Sequence, residues 1–294
     1  MQFLLFMGLF ALGFILLGTL QLTVYKSYGI SATDPVINFK DPAVLSMMKL
    51  MQGLSSILVF CLPALAFAFL VYTGRRSYFL GFRKAERENM YPLAAIAMVL
   101  SLPFVFFLGE LNQRLPLPSW MMTMEKDTAE QMRYFLKANS NWDVIYNVFI
   151  IALLPAIGEE LCFRAVLQRI MIHMTKNVWV GILIAAALFS ALHLQFQGFF
   201  PRMFLGVLLG LLYWYSGSIW TAIVGHFLNN ALQVLAVTYM DVPADKNPGI
   251  PILMAIISGI AVFAIVYFYR KQSTASWNKE FAPEQLHPEN PFIS

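Results

Sequence analysis

Charged residues and cysteines are both scarce in this sequence. Only 12% of the 294 residues are charged and 59% are hydrophobic, whereas a typical soluble domain has about 25% charged residues. A mean hydropathy of +0.65 is too high for a surface that faces water. The two cysteines, Cys61 and Cys162, lie in apolar runs, so inert buried thiols are expected rather than a disulfide framework. This composition predicts an integral membrane protein.

Several motifs of known enzyme classes are missing. The sequence has no Gly-rich phosphate loop, no nucleotide-binding motif and no internal repeat. It contains neither the His-Glu-x-x-His stretch of helical zinc proteases nor the Gly-x-Gly-Asp of intramembrane aspartyl proteases. The net charge of +4 comes from basic residues in short loops. It therefore indicates contact with the membrane surface and not with nucleic acid.

Eight apolar runs are long enough to cross a bilayer, which requires about 20 mostly apolar residues. They cover residues 3–25, 48–73, 91–111, 143–168, 177–197, 199–216, 218–240 and 249–269. The first run lacks a charged start and is too long for a signal peptide, so a retained span is expected. The sequence thus predicts an all-α, polytopic transmembrane helical bundle of about eight spans in a cell membrane.

Composition divides the chain into four parts. These are N-terminal spans with an interfacial segment (1–142), a core that carries intramembrane polar residues (143–240), a last span (241–271) and a flexible polar tail (272–294). The interfacial segment, Pro116–Asn141, mixes methionines and aromatics with charges, which favours an amphipathic helix at the membrane surface. It is expected to be either a gate over a site or a plain surface helix.

Basic loop residues suggest an orientation. One face would carry Arg75, Arg76, Arg83, Lys84, Arg87, Arg169, Lys176, Arg270 and Lys271. The other would carry Lys26, Lys40, Arg114, Lys126, Arg133, Lys137, Arg202 and Lys246, mixed with many acids. The positive-inside rule assigns the first face, and with it both termini, to the cytoplasm.

Three of the apolar runs contain polar or ionisable side chains. A charge at the bilayer centre costs about 2.5–3.5 kcal/mol on insertion scales, so such residues usually have a function. The set consists of Glu159, Glu160 and Arg164 in the fourth run, His193 in the fifth, and His226 and Asn230 in the seventh. By contrast, His173 is expected to be a core residue and His287 to be solvated in the tail.

Helical spacing separates the two adjacent glutamates. Glu160 and Arg164 are four residues apart with the acid first, which is the favourable order for an ion pair on one helix face. Glu159 is rotated from Glu160 by about 100° and has no such partner in its own helix. Pro155 can kink the helix one turn before Glu159. We therefore expect Glu160 to be chiefly structural and Glu159 chiefly catalytic.

These groups suit hydrolysis. A carboxylate and an imidazole can together activate a water molecule, and a second imidazole with an amide can stabilise an oxyanion. The same side chains could instead bind a divalent metal such as zinc, with Glu159, His193 and His226 as ligands. A transporter or proton relay would also use buried glutamates and histidines, and purely structural polar contacts are the remaining alternative.

Three motifs carry a family resemblance. They are Glu159-Glu160-x-x-x-Arg164, Phe189-x-x-x-His193 and His226-x-x-x-Asn230. Together they resemble the CAAX-protease and bacteriocin-processing (CPBP) family of intramembrane proteases, which includes the type II CAAX prenyl endopeptidases. Gly206-x-x-x-Gly210 and Gly217–Trp220 resemble the family as well. The resemblance covers about residues 143–235, under a third of the chain.

The resemblance implies a role for each matched residue. Glu159 and His193 would activate the attacking water, His226 and Asn230 would form the oxyanion site, and Glu160 with Arg164 would support the first pair. The implied function is an intramembrane endopeptidase, of the glutamate type or a metalloprotease, with the lipid bilayer and a membrane-associated peptide or protein as partners. The implied substrates of such a family include unmodified peptides and peptides that carry a lipid near the C terminus. A non-catalytic immunity or scaffold protein is the alternative. From the predicted depths of Glu159 and His226, we expect the site to open toward the cytoplasm.

Overall fold

The protein is described by a computed structural model over residues 1–31, 37–72, 76–240 and 249–276. In these residues the regular elements are helical, and nine helices form the fold. They are α1 (Gln2–Ser27), α2 (Pro42–Val71), α3 (Met90–Gln113), α4 (Ser119–Leu136), α5 (Asn141–Thr175), α6 (Val178–Ala191), α7 (Phe199–Ser216), α8 (Ile219–Met240) and α9 (Ile252–Gln272). A single turn, Arg76–Phe79, and a 3₁₀ turn, Phe196–Gly198, lie between them. Arg75, Lys246, His287 and most of the predicted tail lie outside the described residues.

The all-α transmembrane bundle predicted from the sequence is confirmed. Six stretches are long and apolar enough to span a membrane: α1, α2, α3, α5, α7 with its preceding 3₁₀ turn, and α9. The two other predicted spans are helices as well. Helix α6 is apolar but has only 14 residues, or about 21 Å at 1.5 Å per residue. Helix α8 has 22 residues, but its histidine and asparagines reduce its hydropathy.

Local signals set several helix boundaries. The side chain of Asp41 caps α2, and Ser140 with Asp143 forms a capping box at the start of α5. Asn177 caps α6 by accepting from the backbone N–H groups of its first turn. Gly217, with φ of +66°, ends α7 in the left-handed conformation. Short connections therefore join α5 to α6 and α7 to α8, and these consecutive helices run antiparallel.

Helix α5 lies at the centre of the bundle, in contact with α2, α6, α7 and α8. Two of its segments, Val148–Leu153 and Leu161–Gln168, are π-helical, and they flank the turn that contains the paired glutamates. Gly158 permits the approach to α2, since a Cβ atom there would lie 2.6 Å from the carbonyl oxygen of Ser56. This contact fixes the position of the glutamates against α2.

One end of the bundle, which we call the basic end, is closed by interlocked loops. Arg83 donates to the carbonyl oxygen of Gly217, and the backbone N–H of Glu86 donates to that of Ser216 at 3.1 Å. The hydroxyl of Thr274 donates to the Glu86 carboxylate at 2.8 Å. The loop before α3, the turn after α7 and the end of α9 therefore lie together, as the predicted grouping of basic loop residues requires.

The opposite end, which we call the α4 end, carries the predicted amphipathic segment. This segment is helical from Ser119 to Leu136, and α4 lies against the connection between α6 and α7. The Glu125 carboxylate accepts from the backbone N–H of Gln197 at 3.0 Å, and the rings of Trp120 and Phe196 contact edge to face. Helix α4 thus lies directly beside the C-terminal end of the short helix α6.

Several of the basic residues assigned to loops lie within helices, and Arg169 and Arg202 are at least half-buried there. Arg169 belongs to α5 and is only 4% exposed, because α5 continues to Thr175 through the buried residues Ile170–Ile172. Arg202 lies in the first half of α7. Neither residue therefore reports on the charge of a loop, and the prediction that they do is wrong.

Candidate active site

Helix α5 places two carboxylates side by side at the centre of the bundle. Glu160 is completely buried, and Glu159 retains 8% of its exposure. The π-helical segment begins immediately after Glu160. The two carboxylates point in different directions, as expected for neighbours on a helix, and their partners differ accordingly.

Glu160 is at the centre of a buried ionic network. Its Oε1 atom lies 3.1 Å from Nη1 of Arg164 and 2.7 Å from Nδ1 of His226. The guanidinium of Arg164 lies over the ring of Phe189, 4.6 Å from its centroid, and contacts the carbonyl oxygen of Gly206 at 3.4 Å. Through these contacts one carboxylate connects α5 to α8, and its arginine partner connects α5 to α6 and α7.

The bond to Glu160 fixes the orientation of the His226 imidazole. A carboxylate at 2.7 Å accepts the proton of Nδ1, so the other ring nitrogen, Nε2, faces away from Glu160. Nε2 lies 3.8 Å from Oε2 of Glu159. This is longer than a direct hydrogen bond, but one water molecule could hydrogen-bond to both atoms. A water molecule can therefore be bound between Glu159 and His226, next to a substrate carbonyl group.

His193 approaches from the connection after α6. Its Nδ1 atom lies 2.8 Å from the carbonyl oxygen of Phe189, which can only accept, so Nδ1 carries the proton and Nε2 keeps its lone pair. The Phe189 ring contacts both imidazoles edge to face, that of His193 at 4.9 Å and that of His226 at 5.9 Å between centroids. The His193 residue as a whole is exposed.

Asn230 follows His226 by one turn of α8 and has a neighbour that sequence reasoning missed. The side-chain amide of Asn229 donates to Oδ1 of Asn230 at 3.2 Å. Because its oxygen is taken, Asn230 can direct its own N–H groups elsewhere. Asn229 is 7% exposed, and its Oδ1 has no hydrogen-bond partner in the part of the chain that the structure describes. No spacing rule would have identified Asn229.

Arg202 is the second residue that sequence reasoning missed, since it was assigned to a loop. It is half-buried in α7, and its guanidinium donates to the backbone carbonyl of Gln195 at 3.3 Å and to the side-chain oxygen of the same residue. It interacts electrostatically with Glu159 of the site and with Glu125 of α4. An arginine a few residues into an apolar run was the signal that could have revealed it.

The structure brings the six predicted site residues into one region, with a different pairing from the one the resemblance implies. Glu160 contacts His226 and Arg164, whereas the resemblance has Glu160 support Glu159 and His193. The physical reason is tertiary, because the packing of α8 against α5 places the His226 ring beside Glu160. The roles of these residues remain predictions.

The described residues do not form a set of metal ligands at the site where a metal was expected as an alternative. Over the described ranges, no group of three His, Cys, Asp or Glu side chains is close enough together to hold a metal ion. Glu159, His193 and His226 are thus not arranged as ligands here. A divalent metal at these residues stays a prediction, and no chemical step below depends on it.

The accessible side of the site is the α4 end. Toward the basic end, a layer of buried side chains closes the bundle: Arg164, Gln168, Tyr213, Ser216 and Thr221. Toward the α4 end, His193 is exposed, and Arg202 and Asn230 are half-buried. The expected opening toward the cytoplasmic face stays a prediction, and the exposed part of the site lies toward the α4 end. The depths were counted from assumed span ends, whereas α5 extends to Thr175 and α6 stops at Ala191.

Comparison with known proteins supports the resemblance. Residues 141–232 match the Rce1-like type II CAAX prenyl endopeptidase family. The uncharacterized protein YpbD of Bacillus subtilis (strain 168) is 28% identical over 107 residues, which are 35% of this chain and 52% of that protein. The chain thus matches about half the length of this curated relative. No solved structure matches the chain significantly.

The fold and the site therefore describe a polytopic membrane protein whose helical core, residues 141–232, is similar to the Rce1-like type II CAAX prenyl endopeptidase family. The predicted resemblance to the CPBP family is confirmed over this core. The matched segment runs from the start of α5 into α8 and contains all of the motif residues.

Proposed function

We propose that this protein is an intramembrane endopeptidase that uses Glu159 to activate the attacking water. The observation that carries the proposal is the Glu159 carboxylate 3.8 Å from Nε2 of His226, in a site where Glu160 holds that imidazole in place. The match of the core to a family of endopeptidases supports the same reaction class. The site combines a base, donors for an oxyanion and partial shielding from bulk water.

In the proposed reaction, Glu159 accepts a proton from water while the water oxygen forms a bond to the peptide carbonyl carbon. His193, whose Nε2 keeps its lone pair, shares the task of orienting that water. The negative charge that develops on the carbonyl oxygen is stabilised by the Nε2–H of protonated His226 and by the side-chain amide of Asn230. When the C–N bond breaks, the leaving nitrogen takes the proton held by Glu159.

The buried network gives Glu160 a part in this scheme without contact to the substrate. Its carboxylate accepts from Nδ1 of His226 and so holds the imidazole with Nε2 turned away from Glu160, toward the proposed oxyanion. Arg164 compensates the charge of Glu160 in the dry interior. Asn229 orients the amide of Asn230 in the same supporting manner.

For the substrate, we propose a membrane-associated peptide that is cleaved near its C terminus. The name of the matched family suggests a prenylated cysteine next to the scissile bond as the first substrate to test. A helical bundle with a site below one surface suits a substrate that is already anchored in the bilayer.

The test is cleavage of a quenched fluorescent peptide that ends in a prenylated Cys-Ala-Ala-X sequence by purified protein in detergent. We expect Glu159→Gln to lower kcat/KM by at least about 10²-fold, because general acid–base groups contribute about 10²–10⁴-fold. Glu110→Gln is the matched control, since Glu110 lies on α3 in an exposed pair with Arg114 at 2.7 Å. Elemental analysis of the same preparation would show whether activity follows a bound metal. Proton-coupled uptake without cleavage would instead indicate a transporter.

A further inference from the structure

Arg202 stands out among the charged side chains near the site because of what surrounds it. It lies in an apolar helix, and its guanidinium is held by two oxygens of Gln195, both of them neutral. In the described part of the chain, no carboxylate oxygen lies within ion-pair distance of Arg202, although Glu159 and Glu125 are near enough to interact electrostatically. By contrast, the site's other arginine, Arg164, is in a direct pair with Glu160.

The backbone around Arg202 is firmly held. The side chain of Asn112, itself 3% exposed, donates to the carbonyl oxygen of Phe196 at 2.9 Å and accepts from the backbone N–H of Phe200 at 2.8 Å. Glu125 accepts from the N–H of Gln197 in the same connection. Two helices, α3 and α4, thus fix the segment that presents Arg202, which is how a binding group is kept in place before its ligand arrives.

Arg202 lies on the accessible side of the site. Its guanidinium contacts both the backbone and the side-chain oxygen of Gln195, which follows the exposed His193 of the site by two residues. A planar guanidinium with neutral partners retains donors for an anion, and carboxylates are the anions that it binds best in peptides. A peptide that enters from the α4 end would pass Arg202 before it reaches Glu159.

We propose that Arg202 is a specificity residue that binds a carboxylate of the substrate on the leaving-group side of the scissile bond. The inference rests on the proposed endopeptidase function and adds the chemistry that orients the substrate. Two sources can supply the carboxylate, the C terminus of the peptide or an acidic side chain close to it. Either one would direct the substrate so that its carbonyl lies at Glu159 and His226.

The experiment compares three quenched prenylated peptides of one sequence. They end in a free carboxylate, in a C-terminal amide, or in an amide with aspartate as the last residue. Wild-type protein is expected to cleave the free acid with kcat/KM about 10-fold to 100-fold above the plain amide, the size of a charged hydrogen bond. In Arg202→Gln this ratio should fall to about 1, mainly through KM, and Arg202→Lys should keep part of it. The aspartate peptide distinguishes the two sources of the carboxylate.

Arg114→Gln is the control, because Arg114 is an exposed arginine at the same end of the bundle and is paired with Glu110. It should keep the wild-type ratio of acid to amide. Melting temperatures of all variants exclude unfolding as a cause. Equal cleavage of acid and amide by the wild type, or an unchanged ratio in Arg202→Gln, would overturn the inference while the proposed function stands.

If the wild type cleaves none of the peptides, the proposed function fails. The affinity of the protein for the same peptides then tests the carboxylate site at Arg202 separately. The same peptides are then titrated by fluorescence anisotropy against wild type and Arg202→Gln. Tighter binding of the acid by the wild type alone would support the carboxylate site, and equal binding by both proteins would refute it.

Discussion

Glu159 and Glu160 are adjacent in sequence but differ in burial and in contacts. Glu160 has an arginine and a histidine within 3.1 Å and no exposure, whereas Glu159, among the residues that the structure describes, has His226 as its ion-pair partner at 3.8 Å. A carboxylate with two partners in the interior is part of the packing. A carboxylate without such close partners is free to act on a ligand.

At this scale we predict opposite effects of two conservative changes. Glu160→Gln should lower the melting temperature and the activity together, because breaking a buried ion pair costs about 3–5 kcal/mol. Glu159→Gln should leave the melting temperature nearly unchanged and abolish cleavage. Both variants are melted in detergent and assayed on one peptide. If Glu159→Gln is the unstable variant and Glu160→Gln is stable but inactive, the two roles are reversed.

At the scale of the helices, the site depends on how closely α5 and α2 approach each other. The turn of α5 before the glutamates lies against the π-helical segment Ser56–Cys61 of α2. A Cβ atom on Gly158 would lie 2.6 Å from the Ser56 carbonyl oxygen and 3.2 Å from the Cys61 sulfur. The helix pair can therefore keep its spacing only while residue 158 has no side chain.

We predict that Gly158→Ala destabilises the protein by about 1–3 kcal/mol, the usual range for overpacking. The value of kcat/KM should fall by more than the loss of folded protein accounts for. The reason is that α5 must shift by the width of the added methyl group, and Glu159 moves with it. The matched control is Gly8→Ala in α1, where an added Cβ would meet no atom within 4 Å. A melting temperature and activity equal to wild type in Gly158→Ala would contradict the close approach.

At the scale of the whole molecule, the two ends of the bundle differ in access to the site. The basic end is closed by buried side chains and by interlocked loops, and the α4 end leaves His193 exposed. If the positive-inside rule holds, the basic end faces the cytoplasm and the site opens on the other face of the membrane. The opening and the orientation can be measured together.

We predict that single cysteines at Leu194 and Asp127 react with an impermeant maleimide from the same side of the membrane, and that a cysteine at Lys84 reacts from the opposite side. All three positions are exposed. The native Cys61 and Cys162 are first replaced by alanine. Labelling of intact cells then reports the outer face of the membrane, and labelling of inverted vesicles reports the cytoplasmic face. Labelling of Leu194 and Lys84 from one face would contradict the arrangement of the two ends.

The sequence alone was sufficient for features that depend on composition or on spacing within one helix. Apolar run length predicted the membrane bundle, because a bilayer core accepts only long apolar helices. The four-residue spacing predicted that Arg164 would pair with Glu160 and not with Glu159, and the two side chains lie 3.1 Å apart. The motifs of three helices also sufficed to indicate the family over residues 141–232.

Only the tertiary structure decided which groups meet across helices and from which end they are reached. The packing of α8 against α5 places His226 beside Glu160, and the early end of α6 at Ala191 leaves His193 accessible from the α4 end. The proposed role of Arg202 depends on Gln195 and on Glu159, which come from different elements of the fold. The periodicity of one helix shows which residues share a face, but the neighbour of that face is set by the packing of all the helices together.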